Sequence, residues 1–275
     1  MIDQSQLPYL VNLIDDETDE VRKEILKVLS SYGTSLERDL QEYSIILDKD
    51  KKSILQPILE ANRREWLTQN WDSWFYIHDE IKKLEMASDL IAKFQYGITD
   101  HLSAAKIIDN LAEEFRLKAP YGDEIDLANF LFQEKGIIGA HQDYDNPLNS
   151  NLLYALTENK GLPITLCLIY ILTGARLGMN IEGCNFPGHF LSKTYIDNET
   201  VLVDCFNGGK IIYREDLIEM AEDSYPAVLE IVDATISAGV IIRRILNNIV
   251  NAYKTVGNQA NADFFTVLLN RTPVN

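Results

Sequence analysis

The stretch from Pro163 to Leu177 is apolar on nearly every side, with Ile164, Leu166, Cys167, Leu168, Ile169, Ile171 and Leu172 distributed all around a helical turn. A helix without a solvent face has to be enclosed by other layers, so this segment predicts the centre of a domain. Pro163 suits the first helical turn, where its missing N–H costs nothing. What encloses the helix is to be read from the pattern on either side of it.

Before it, residues 1–135 read as helix after helix. Val21, Ile25, Leu29 and Tyr32 recur at spacings of four and three between Asp16 and Gly33, and Leu7 to Ile14 reads as the preceding helix. The two form one HEAT-type pair, whereas a solenoid needs about three stacked repeats. Further helices are predicted at about 51–69, 77–95, 103–117 and 124–134, closed by Gly97, Pro120 and Gly136. Trp66, Trp71 and Trp74 cluster near a helix junction without flanking Lys or Arg, so they read as inter-helix packing rather than a base-stacking platform. His78 and His101 stand isolated, and no metal role is read into them.

The pattern changes after Gly136. His141, Asp143, Asp145, Asn146, Pro147 and Asn149 make a polar loop that lacks the glycine and distal glutamate of a calcium-binding EF-hand, and it reads as turn chemistry. Helices at 149–158 and 163–177 follow, then short strands at 181–186, 189–195, 200–206 and 210–213. Asp197-Asn198-Glu199 and Asn207-Gly208-Gly209 supply the turns of two antiparallel hairpins. Gly208-Gly209-Lys210 is no phosphate loop, because the earlier glycine and the following Ser or Thr are missing. Helices return near 214–222, 236–256 and 258–269, the last two pairing as a tetratricopeptide-like hairpin. The fold class expected is α+β: a helical region 1–135, a core 136–223 with a buried helix on an antiparallel sheet, and C-terminal helices 224–275.

Charge limits the partners. With 25 Lys and Arg against 42 Asp and Glu, the formal net charge is −17, which repels phosphate backbones and anionic lipid. Nucleic acid and membrane surface are therefore not expected partners, and a protein or peptide is. Three scattered cysteines fit a reducing compartment rather than a disulfide framework, and no CxxC pair suggests zinc. Without a basic, apolar start or an eighteen-residue apolar run, a cytoplasmic location is expected, and the sequons at Asn198 and Asn270 read as chance. The acidic residues crowd the helical regions, for example Asp15, Glu17, Asp19, Glu20, Asp79, Glu80, Asp123 and Asp126, whereas 161–191 holds only Glu182. The coat is expected to read any basic partner, with a nearly neutral cleft inside it.

A buried helix followed by a sheet that carries His189 on one strand and Asp204 on the next has the order of a Cys, His, Asp site. Such a site needs a thiolate, an imidazole to take its proton and a carboxylate to hold the imidazole. The chain resembles the bacterial SirB-type transglutaminase-like proteins. The resembling residues are Asp145 to Leu152, Gly161-Leu162-Pro163-Ile164-Thr165-Leu166, Gly178, Phe186-Pro187-Gly188-His189-Phe190-Leu191, Asp204-Cys205-Phe206-Asn207-Gly208-Gly209 and Arg243 to Asn248. The resemblance implies a papain-related α+β core between helical segments and an association with regulation.

The resemblance also implies that His189 and Asp204 are the triad histidine and aspartate. In active enzymes of this kind the nucleophile stands two residues after the glycine preceding the helix, and Pro163 occupies that position. At about 100° per residue, Cys167 returns to within about 40° of the face of Pro163, whereas Thr165 points about 200° away. Cys167 is thus the candidate nucleophile, although it lies one turn inside the helix, beyond most of the dipole and free N–H groups that activate a thiol. Cys184 and Cys205 read as packing. Asn149, Thr165, Gly188 and Asn207 are candidate cleft residues. No cofactor is implied. Three functions remain open: a binding or regulatory protein lacking the usual nucleophile, a cysteine hydrolase or acyltransferase using Cys167, His189 and Asp204, and a structural scaffold.

Overall fold

The computed structural model describes residues 4–99, 102–186, 188–197, 199–213, 215–217 and 225–274. His101, Pro187, Asn198 and most of the helix expected at 214–222 lie outside the described residues. Two compact units divide the chain: Met1–Trp71 with Lys93–His101, and Asp72–Ala92 with Leu102–Asn275.

The first unit is helical. Helices α1 (Leu7–Asn12), α2 (Asp19–Ser30), α3 (Leu36–Glu42) and α4 (Lys49–Asn70) enclose Leu7, Val11, Ile14, Leu29, Leu36, Leu40, Leu55 and Leu59. Asp48 caps α4 by accepting from the Lys51 amide at 2.8 Å. Helix α3 is absent from the expectation above; it follows directly on the Gly33–Ser35 turn. Arg63 donates to Glu37 from Nε at 2.8 Å, and the other Glu37 oxygen accepts from the Ile98 amide at 3.1 Å. This partly buried pair is therefore hydrogen-bonded on both carboxylate oxygens, which compensates its desolvation.

The second unit contains helices α5 (Glu80–Tyr96, up to Ala92), α6 (Ala104–Lys118), α7 (Glu124–Asn129, prolonged by a π-turn over Phe130–Glu134), α8 (Leu152–Glu158) and α9 (Pro163–Leu177). The central helix is as enclosed as its composition demands, since every residue from Pro163 to Gly174 is buried. Gly178, in the left-handed region at φ 76°, ends it. Arg176 binds Asp109 of α6 at 3.0 Å, and the Tyr170 hydroxyl donates to the Glu124 carbonyl at 2.6 Å.

Strands β1 (Ile138–Gly139) and β2 (Lys160–Gly161) form a short parallel bridge, Ile138 opposite Lys160. Strands β3 (Glu182–Cys184), β4 (Leu191–Ile196), β5 (Glu199–Asp204) and β6 (Lys210–Ile212) form an antiparallel sheet in that order. Gly208 and Gly209 take φ of 75° and 73° in the β5–β6 turn, where two successive left-handed residues require glycine. Helix α10 (Tyr225–Asp233), which was not anticipated, covers one face of the sheet: Val228 and Val232 pack with Cys184, Leu191, Leu202 and Ile212. The Lys193 ammonium, on a residue only 1% exposed, donates to the Val232 and Ala234 carbonyls at 3.2 and 2.9 Å and pairs with Glu182 at 3.5 Å. Helices α11 (Ala238–Thr255) and α12 (Gln259–Arg271) close the chain as a hairpin in which Tyr253 stacks on Phe265 at 5.7 Å.

The fold is α+β, mostly helical with a small antiparallel sheet. Trp71 and Trp74 are buried, each within its own unit, while His78 and the acidic residues Asp15, Glu17, Asp19, Glu20, Asp79, Glu80, Asp123 and Asp126 are exposed. No helix among the described residues is long and apolar enough to cross a membrane.

Candidate functional site

The β4–β5 register sets Ser192 opposite Val203 and Lys193 opposite Leu202. Continued by one residue, it brings Asp204 level with Leu191, so the imidazole two residues earlier reaches it diagonally. His189 Nε2 lies 2.8 Å from Asp204 Oδ1. The same carboxylate accepts from the Asn207 amide N–H at 3.1 Å and from Asn207 Nδ2 at 2.7 Å. Burial alone would raise the Asp204 pKa, but the hydrogen bonds from His189 and Asn207 outweigh it and hold the carboxyl below its ordinary range. An ionised carboxylate can only accept, which assigns a proton to Nε2 and leaves Nδ1 as the ring atom that the carboxylate does not engage. With its side chain 28% exposed, against 10% for Asp204, the histidine is a braced base open to solvent.

Phe206 forms the wall beside it. Its ring meets the His189 ring at 6.0 Å and 76°, the His141 ring at 4.4 Å and the Tyr144 ring at 6.2 Å. Nothing in the spacing of His141 and Tyr144 announces a shared aromatic partner sixty residues on. The loop owes its place to the β1–β2 bridge and to Gly139, where an added Cβ would lie 2.7 Å from two Phe206 ring carbons and from the Phe206 carbonyl oxygen. The carbonyl cannot rotate away as a side chain can. Gly139→Ala is therefore expected to displace Phe206 and to cost about 1–2 kcal/mol. Urea unfolding checks the cost, and shifted His141 and His189 ring signals in NMR check the displacement.

The remaining candidates fall in two places. Gly188, exposed and at φ 73°, directly precedes His189. Asn149 and Thr165 are buried and bonded to each other: Thr165 Oγ1 donates to the Asn149 carbonyl at 3.0 Å, and Asn149 Nδ2 donates to the Asp143 carbonyl at 2.5 Å. They pin the polar loop to the first turn of α9. Cys167 is wholly buried, with its Sγ 3.6 Å from the Phe190 carbonyl oxygen to which it donates. Cys205 lies beside it, 3.6 Å from Ser192 Oγ, and burial pushes its thiol well up. Burial likewise raises the Cys184 thiol to about 11. Among the described residues no group of three or more His, Cys, Asp or Glu is placed to hold a metal ion.

Sequence comparison bears on this site, because the profile of the transglutaminase-like superfamily matches residues 103–247, more than half of the chain. The chain belongs to the transglutaminase-like superfamily. The match includes Cys167, His189, Asp204 and the polar loop. A UPF0162 protein of Xylella fastidiosa strain Temecula1 is 32% identical over 159 residues, covering 55% of this chain and 56% of that protein. A UPF0162 protein of Vibrio cholerae is 30% identical over 78 residues, 28% of this chain and 29% of the relative. Mouse F-box only protein 21 is 33% identical over 84 residues, 30% of this chain and 13% of the other. The chain spans about half the length of the first of these curated relatives, and no solved structure matches it. In this transglutaminase-like chain Pro163 begins α9, so the residue two positions after Gly161 has no nucleophilic atom.

Proposed function

We propose that this chain is a transglutaminase-like protein of the SirB type that binds its ligand rather than turning it over, and that its role is regulatory. The observation that carries the reading is the burial of the candidate nucleophile while the base stays exposed. His189 is braced and solvent-accessible, whereas Cys167 is 0% exposed and its hydrogen donates to the Phe190 carbonyl. A thiol held that way serves as a small buried hydrophobe. The HEAT-like start of the chain and the tetratricopeptide-like α11–α12 hairpin would offer grooves for a partner helix or peptide, in keeping with an acidic, cytoplasmic protein.

The alternative, a cysteine hydrolase or acyltransferase, retains one supporting observation: Cys167 bonds to the carbonyl of the residue adjacent to His189. Iodoacetamide labelling of the folded protein distinguishes the two. Cys167 is expected to stay unmodified up to pH 9 and to react only in urea; labelling at Cys167 in the folded chain would instead favour the hydrolase or acyltransferase. On the binding reading, His189→Ala folds but loses a partner recovered by the wild type. Unchanged recovery would leave a scaffold.

A further inference from the structure

We propose that the Arg244 guanidinium anchors a carboxylate-binding subsite against Phe190, the residue after His189. This rests on the binding reading above and gives it a ligand class.

Arg244 lies on α11, half-buried. Its Cζ stands 5.2 Å from the centroid of the Phe190 ring, and Nη1 donates to Asn185 Oδ1. Phe190 directly follows His189, so the guanidinium packs on the residue next to the base in the chain. The polar loop closes the other side. Its Pro147–Ser150 turn packs on α11, and the Tyr144 phenol is within electrostatic range of the guanidinium while its ring faces Phe206.

What sets Arg244 apart among the described residues is that it is half-buried with neither an acid nor a backbone carbonyl as its hydrogen-bond partner. Arg22, Arg38, Arg63, Arg64, Arg176 and Arg271 each pair with an Asp or Glu. Arg243, its neighbour on α11, donates to the Leu269 and Thr272 carbonyls, and the exposed Arg116 donates to the Arg176 carbonyl. Among the described residues no carboxylate pairs with Arg244, in a chain where acids outnumber bases 42 to 25. Asn185 uses one of five N–H donors. Burial pulls the guanidinium below its ordinary pKa, the signature of a cation that has given up water without gaining an anion.

The planar fork of a guanidinium fits a carboxylate through two parallel hydrogen bonds. One cation does not balance a phosphate dianion inside an acidic protein, whereas it balances one carboxylate. The acidic coat does not forbid this, because exposed charges are screened beyond about 8 Å at physiological salt. Phe206 and Tyr144 favour an apolar group next to that carboxylate. The ligand class is thus a peptide-like acid, its carboxylate coming either from a chain terminus or from an Asp or Glu side chain.

NMR titration of the full chain, read at the Arg244 Nε–H and the His189 ring, tests this with three probes. N-acetylphenylalanine carries a terminal carboxylate, N-acetylglutamylphenylalaninamide only a side-chain one, and N-acetylphenylalaninamide none. At least one acid is expected to shift both signals and to bind about tenfold or more tighter than the neutral amide. The acid that does so identifies the source of the carboxylate. Arg244→Gln should abolish the preference, Arg244→Lys should weaken it by losing the fork, and Arg116→Gln, at an exposed site elsewhere, should preserve it. Equal binding of acid and amide, a preference that survives Arg244→Gln, or no shift with any probe at millimolar concentration would overturn the subsite. The binding reading would be left to the His189→Ala comparison.

Discussion

Lys193→Ala is expected to lower stability by about 3 kcal/mol, the scale of leaving buried polar groups without their charged partner. The Lys193 ammonium is enclosed between β4 and the end of α10, where it donates to two carbonyls and pairs with Glu182. Those carbonyls sit where a helix has spare acceptors and a partial negative charge. Truncation strands both of them and Glu182, and it opens a void under Leu191 and Leu202. Lys193→Met keeps the stem and loses only the head, so it should cost less than alanine. Urea unfolding measures the difference. Hydrogen exchange should speed up first in 225–233, because α10 is fastened to the sheet by this side chain together with the Val228 and Val232 contacts. If alanine and methionine cost the same, the stem contributes nothing beyond the ammonium.

Asp204→Ala is expected to cost about 2 kcal/mol at neutral pH, since it removes one ionised acceptor from three donors: His189 Nε2, the Asn207 amide and Asn207 Nδ2. The pH dependence carries the sharper information. A carboxyl whose folded pKa lies below its unfolded value stabilises the fold in full above the unfolded value, and this contribution is lost as pH falls through the folded one. For Asp204 the unfolded value is close to 3.8 and the folded value is lower. The stability gap between wild type and Asp204→Ala should therefore be constant above about pH 5 and narrow as pH falls below 3.8. A gap that widens toward acid would mean that the carboxyl is protonated in the folded protein and that His189 is not held by an ionised partner.

Much of this architecture was legible in the sequence where local signals and burial agree. Pro163 and Gly178 mark the start and the cap of α9 because each has a backbone reason to be there, and the composition between them admits only an enclosed helix. His189 and Asp204 could be paired from strand order, because antiparallel neighbours joined by a short turn have few registers open to them. The rest depended on tertiary context. Two residues in a parallel bridge carry no periodicity, so β1 and β2 leave no trace in the pattern. Lys193 looks like a solvent-facing strand residue, yet Leu191 to Thr194 are all buried because both sheet faces are covered. Arg244 has the sequence signature of any surface arginine on an amphipathic helix; only its half-burial without an acid or a carbonyl partner distinguishes it, and that is a property of three dimensions. Arg244 lies more than fifty positions beyond the stretch 161–191 whose near-neutrality is read from composition.

The parallel bridge between Ile138–Gly139 and Lys160–Gly161 has a further consequence for recognition. By tying both ends of the segment that bears His141 and Tyr144, and with Asn149 fastened to Thr165 midway, the chain meets the entropy cost of ordering this segment during folding. A ligand arriving at Phe206 then meets a wall already in its bound shape and gives up little affinity to loop freezing. Association should accordingly proceed in a single kinetic phase, with a rate linear in ligand concentration and without the saturation that a slow loop closure would impose.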